Sequence, residues 1–266
     1  MKSDHTPEVK AREHWRRLAF ISDLHLGPDA PLTTARFLQW LQADARQADA
    51  LFILGDLFEA WIGDDLLDAD PPDVHHKVCA ALTSFATTDR FLGVMHGNRD
   101  FLLGSGFVRH THAQLMADPS VLCFAGERIV LTHGDALCTA DIDYQLWRAR
   151  CRDPAWQRRV LAQPLDARRQ QAAALREQSR AAQSHMETWS DSDPVEASRW
   201  LSQAASPWMI HGHTHRPRDH WEGGRLRQVL SDWNLDAPLG SFAYRAQVLW
   251  LYRDSGTVTV HRQQLV

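Results

Sequence analysis

The sequence predicts an α/β fold whose strands end in one shared polar site. Three observations predict it. Short apolar runs alternate with helix-like segments, the pattern of layered α/β domains. The run Ala50-Leu51-Phe52-Ile53-Leu54 is apolar at every position, as expected of a strand buried on both faces. Five such runs each stop at a cluster of Asp, Asn or His, mostly beside glycine. That is the strand end where open α/β sheets place their ligands.

A chain of 266 residues suffices for one large domain or one domain with an insertion. The net charge of -4 argues against a protein that coats nucleic acid. Cys79, Cys123, Cys138 and Cys151 form no CxxC pair and read as buried or free thiols in a reducing cytosol. No apolar run approaches the ~20 residues of a membrane-spanning helix. Residues 1–17 are polar and charged, without the apolar core of an export signal.

In chain order, residues 1–16 read as a flexible tail and 17–266 as the domain. Leu18–Ile21 is a first strand, ending in Ser22-Asp23-Leu24-His25. In an extended stretch Asp23 and His25 share a side, so both can reach one ion. Pro31 suits the first turn of a helix over 31–47, with Leu38, Leu41 and Ala45 as its apolar stripe. The strand from Ala50 delivers Asp56. The acidic stretch 61–73, ending in Pro71-Pro72, reads as a loop, and 74–87 as a helix. Strands at 91–95, 128–132 and 207–210 lead into His96-Gly97-Asn98-Arg99-Asp100, His133-Gly134-Asp135 and His211-Gly212-His213-Thr214-His215. Segments 226–230, 246–252 and 257–261, rich in Val, Leu and Thr, suit a second sheet or antiparallel edge strands.

The strand-end groups are Asp23, His25, Asp56, Asn98, His133, His213 and His215. Oxygen and imidazole donors without thiolate suit Mn, Fe or Zn. Seven donors exceed one tetrahedral site and match two ions sharing the Asp56 carboxylate, a clamp for phosphoester displacement. Asn98 adds a neutral oxygen. His211 is either a further ligand or a residue behind the ligands. A binding module that had lost catalysis would have lost donors, and all seven are present.

Between the fourth and fifth strands, residues 145–180 carry nine arginines against Asp153, Asp166 and Glu177, a balance of +6. Trp147, Trp156, Leu161 and Leu165 lie among them, followed by an alanine-rich helical run over 166–186. The segment reads either as a solvated basic face or as a lid over an anionic, lipid-like substrate.

Asp23-x-His25, Gly55-Asp56, Gly97-Asn98, His133-Gly134-Asp135 and Gly212-His213-Thr214-His215 resemble, in order, the five blocks of calcineurin-like metallophosphoesterases. The resemblance implies a β-sandwich flanked by helices. It assigns one ion to Asp23, His25, Asp56 and His215, and the other to Asp56, Asn98, His133 and His213. Many members have histidine after Gly-Asn as proton donor or phosphate clamp. Here Arg99 stands there; it cannot donate a proton at neutral pH and suits a forked phosphate contact.

The runs 54–65, 97–104 and 210–217 resemble more narrowly the UDP-2,3-diacylglucosamine pyrophosphatases, the LpxH family of lipid A biosynthesis. That resemblance implies water attack on the α-phosphorus of UDP-2,3-diacylglucosamine, giving UMP and 2,3-diacylglucosamine 1-phosphate (lipid X). It implies Asp56, Asn98 and Arg99 at the chemistry and two Mn2+ ions, with other divalent transition metals as the alternative. It also implies peripheral attachment to the cytoplasmic face of the inner membrane. Neither a nucleic-acid partner nor an obligate protein partner is expected. The helical lid is expected over about 140–190. Asp141, Tyr144, Arg176, Ser179 and Gln183 correspond to its sugar and phosphate contacts, beside Asn98, Arg99 and His213. Gln183 replaces a smaller amide, Met186 stands near a usual lysine, and Arg180 keeps a positive charge there. The alternative within the superfamily is a cyclic nucleotide, a dinucleoside polyphosphate or another phosphodiester, for which a tryptophan-lined lid has no use.

Overall fold

The structure is a computed structural model describing residues 6–185 and 191–266, with the side chains of 178–185 outside that description. Two six-stranded sheets face each other. One has the order β12 (Thr257–Gln264), β11 (Gln247–Asp254), β2 (Arg17–Ile21), β3 (Ala50–Leu54), β4 (Phe91–Met95) and β5 (Gln114–Met116). The other has β1 (Glu8–Lys10), β6 (Ser120–Phe124), β7 (Glu127–Thr132), β8 (Trp208–His211), β10 (Arg225–Val229) and β9 (Arg218–Glu222). Strands β2 to β5 are parallel, as are β7, β8 and β10. Their carboxyl ends carry the polar clusters.

The period of two decides the layers. On β2 and β3, Leu18, Phe20, Ala50, Phe52 and Leu54 point between the sheets with Leu122, Leu131 and Ile210. Phe20 stacks on Phe52 at 5.0 Å, a pairing worth about 0.5–1.5 kcal/mol beyond area burial. Ala19, Ile21, Leu51 and Ile53 point the other way, onto α1 (Pro31–Gln42), α2 (Val74–Phe85) and α3 (Ser105–Thr111). From Leu18 and from Ala50 onward these strands are apolar because both faces are covered. Helices α4 (Ile142–Cys151), α5 (Pro154–Leu161) and α6 (Leu165–His185) occupy the segment after β7. Helix α7 (Pro194–Gln203) covers the outer face of the second sheet through Ala197 and Leu201. Among the described residues no helix is long and apolar enough to cross a membrane.

Several elements differ from the sequence reading. Residues 8–10 are not a flexible tail: β1 pairs in parallel with β6, and Arg128 holds Glu8 at 2.8 Å. Trp15 is buried against Phe91, with ring centroids 5.2 Å apart. A three-residue strand is too short to show alternation, so one tryptophan was the only sign. The first helix stops at Gln42 and a separate 3-10 turn, Asp44–Gln47, buries Ala45. The 61–73 loop contains a 3-10 turn over Asp64–Asp68 that buries Leu66 and Leu67.

Candidate active site

All seven expected donors converge at one edge of the sandwich. Asp23 and His133 are wholly buried, and Asp56 almost so. Oδ2 of Asp56 lies 3.9 Å from His25 Nε2 and 3.8 Å from His133 Nε2, midway between the two donor sets. On one side His25 and His215 bring their Nε2 atoms to 3.4 Å, and His215 Nε2 is 3.5 Å from Asp23 Oδ1. On the other, Asn98 Oδ1 is 3.1 Å from His133 Nε2 and 3.0 Å from His213 Nδ1. Asp23, His25 and His215, and again Asp23, Asp56 and His133, each have donor atoms within 4.8 Å of one another.

These donors fit cations. Asp23 Oδ1 is buried and accepts no hydrogen bond among the described residues. Such an atom is costly unless a positive charge meets it. His133 Nδ1 donates to the Leu54 carbonyl at 2.9 Å, so Nε2 is the nitrogen aimed into the site, and a cation there would replace its proton. Burial alone would lower its pKa, but the carboxylates of Asp56, Asp23 and Asp135 overcome that and raise it to about 9. His213, pushed down to about 4 by burial and by His133, is neutral at pH 7.

The route by which Asp23 and His25 meet is not strand alternation. Asp23, His25, Asp56, His213 and His215 all have φ between 50° and 67°. Left-handed backbone at non-glycine residues is uncommon and clusters at functional sites. The tips are held by one another. Asp23 N donates to Gly55 O, and Leu24 N and His25 N to Asp56 O, at 2.9–3.1 Å. His213 N donates to Asp23 Oδ2 at 2.8 Å, and Arg99 N to Asp56 Oδ1 at 2.8 Å. Gly97 is required here, because a Cβ would overlap the Asp56 carboxylate.

A supporting layer went unassigned in the sequence reading. Asp100 accepts Gly97 N at 2.7 Å and Leu57 N at 2.8 Å, joining two donor loops. Glu59 Oε2 sits 3.2 Å from His25 Nδ1 and turns its Nε2 inward. Asp135 accepts Tyr144 OH at 2.7 Å and Arg148 Nε at 2.8 Å. Arg148 also reaches Asp118, which accepts the Thr132 hydroxyl at 2.6 Å beside His133. Arg152 donates to the Gly97 carbonyl at 2.9 Å. Glu59, Asp100 and Asp135 stand inside the blocks singled out above, where their positions were the available signal; Asp118 had none. His211 lies behind the donors, its Nδ1 on Gly212 O and its Nε2 3.2 Å from Arg227.

Helices α4–α6 roof a cavity of about 490 Å3 lined by Trp61, Ile62, Phe101, Trp147, Trp156 and Leu175. Asn98, Arg99, Tyr144 and Arg176 line it as well. The Tyr144 ring stacks on His213 at 5.7 Å. Asp141 caps α4 by accepting Tyr144 N at 3.0 Å. Arg176 bridges Asp29 at 2.8 Å and Glu59 at 2.7 Å. Buried Arg168 fastens α6 to Ile62 O at 2.6 Å and to Asp65. The side chains of Ser179 and Gln183, and all of Met186, lie outside the described residues.

A sandwich whose two sheets together present buried carboxylate, imidazole and amide donors is the arrangement of a phosphoester-cleaving metal enzyme. Residues 16–217 match the calcineurin-like phosphoesterases, and the chain belongs to that family. Over 226 residues it is 46% identical to the UDP-2,3-diacylglucosamine hydrolase of Aromatoleum aromaticum, covering 82% of this chain and 90% of that one. The proteins of the same name from Stenotrophomonas maltophilia and Ralstonia nicotianae are each 45% identical, covering 80% and 84% of this chain and 90% and 87% of their own. Within the calcineurin-like enzymes, the chain is thus a member of the UDP-2,3-diacylglucosamine hydrolase family.

Proposed function

We infer that this chain hydrolyses the pyrophosphate of UDP-2,3-diacylglucosamine, giving UMP and 2,3-diacylglucosamine 1-phosphate on the route to lipid A. The observation that carries the reading is the tryptophan-lined cavity meeting the donor cluster at Asn98 and Arg99. A soluble phosphodiester has no use for those apolar walls, whereas two acyl chains do.

In this reading Asp23, His25, Asp56 and His215 would hold one Mn2+, and Asp56, Asn98, His133 and His213 would hold the second. When bound, the pair lowers the pKa of a water and neutralises phosphoryl oxygens. The chain's own groups do the rest. Asn98 and Arg99 hold the phosphates in line for water attack at the α-phosphorus, the guanidinium by a forked contact. Arg99 is no proton donor, and the departing sugar phosphate needs none. Asp141, Tyr144, Arg176, Ser179 and Gln183 orient sugar and phosphates, and the apolar roof excludes water. The protein attaches peripherally to the cytoplasmic face of the inner membrane, where the exposed Arg150, Arg158, Arg159 and Arg169 meet anionic lipid.

The test is UMP release from UDP-2,3-diacylglucosamine with Mn2+ and with chelator, against UDP-N-acetylglucosamine. The lipid substrate is expected to be cleaved and the soluble one spared. Equal cleavage of both would overturn the lipid assignment.

A further inference from the structure

The donor cluster opens onto two cavities of opposite character. Asn98, Arg99 and Tyr144 face the apolar one. His25 and His215 line the other, about 210 Å3, which is walled by Gly27–Ala30, Thr33 and residues 232–234 and 236. Glu59 and Arg176 line both and stand between them. The substrate proposed above has the matching form: two unlike ends joined through the phosphates that the donors would hold.

We propose that the cavity between the start of α1 and residues 232–236 is the subsite for the nucleoside end of the substrate. The assignment rests on the reading above, because the apolar cavity is taken by the acyl chains. The chemistry of the second cavity points the same way. Four carboxylates line it, Asp29, Glu59, Asp232 and Asp236, against Arg176 on the first two and Arg245 on Asp232; the wall stays net negative, disfavours further phosphate and keeps oxygens that accept hydrogen bonds. A nucleoside is neutral and brings donors, the ribose hydroxyls and the uracil N3–H. The N-terminus of α1 offers no competing anion site. Asp236 already accepts Leu32 N at 2.9 Å and Thr33 N at 3.0 Å. Sequence reading missed this pocket because its walls come from residues about 200 positions apart, Thr33 meeting Asp236.

The experiment narrows the cavity at Ala30, which is partly exposed at its rim and whose side chain bonds nothing. Ala30→Phe and Ala30→Ser are assayed as Mn2+-loaded full chains, with thermal melting to show folding. For Ala30→Phe the ratio of UDP-diacylglucosamine to bis(p-nitrophenyl) phosphate turnover is expected to fall by about tenfold or more, while Ala30→Ser keeps it. In the unaltered protein UMP should inhibit bis(p-nitrophenyl) phosphate cleavage about tenfold better than inorganic phosphate does, and 2′-deoxy-UMP less well than UMP. Ala30→Phe should erase the advantage of UMP over phosphate. An unchanged ratio in folded Ala30→Phe, or UMP no better than phosphate, would overturn the subsite. Failure of the unaltered protein to cleave UDP-diacylglucosamine at all would instead overturn the function proposed above.

Discussion

Asp100 contacts no expected metal donor side chain, yet its removal should disable the site. Its two oxygens accept the amides of Gly97 and Leu57 at 2.7 and 2.8 Å, tying the Asn98 loop to the Asp56 loop. Asp100→Ala strands two buried donors at about 1–3 kcal/mol each. Relief of a buried carboxyl, whose pKa is pushed up to about 6 by burial and by Asp56, offsets part of this. A net loss of about 2–4 kcal/mol follows, or roughly 5–15 °C in Tm for a chain of this size. The kinetic effect should be larger than folding requires. If the two loops separate by ~1 Å, turnover falls by about 100-fold in protein that is still folded. Asp100→Asn keeps one acceptor and should fall between. The assay pairs a circular-dichroism melt with kcat at saturating Mn2+. Folded Asp100→Ala that turns over within about twofold of the unaltered protein would show that the loops hold their places without it.

Three further outcomes are expected. Chelator should abolish turnover and Mn2+ restore it, and Asp56→Ala should bind fewer ions by atomic absorption; full loading of that variant would refute the shared carboxylate. Asp65→Ala removes the carboxylate that grips Arg168 of α6, so KM for the lipid substrate should rise several-fold while bis(p-nitrophenyl) phosphate kinetics barely change. Vesicle binding should weaken as salt shortens the Debye length to about 3 Å near 1 M; sedimentation that is indifferent to salt would exclude electrostatic anchoring.

The sheets and the donors were legible because both follow from local pattern. Strands apolar at every position announce two covered faces, and a polar cluster after each announces the edge where they end. The reason given for Asp23 and His25 was nevertheless incomplete. Side-chain alternation assumes extended backbone, and both residues turn left-handed at φ 56° and 50°. They meet because the tip reverses, something no spacing rule contains. What pairs across the fold was out of reach for a similar reason. Arg148 joins Asp118 and Asp135, 30 and 13 positions away, and nothing near Asp118 marks it. Trp15 and β1 were lost to short length.

The same geometry assigns the rigidity of the site. Five non-glycine residues at positive φ cost about 1–3 kcal/mol each if left to themselves. The sheets cannot supply the restraint, because the ladders stop at Ile21, Leu54, Met95, Thr132 and His211. It comes from tip-to-tip bonds, Asp23 N to Gly55 O, Leu24 N and His25 N to Asp56 O, and Gly212 N to His133 O. Asp100, Asp135 and Arg148 then brace those tips from behind. The donors are therefore positioned collectively: moving one loop shifts both donor sets at once. Loss of a bracing carboxylate should lower the affinity for both ions together, whereas loss of His215, on one set alone, should lower one.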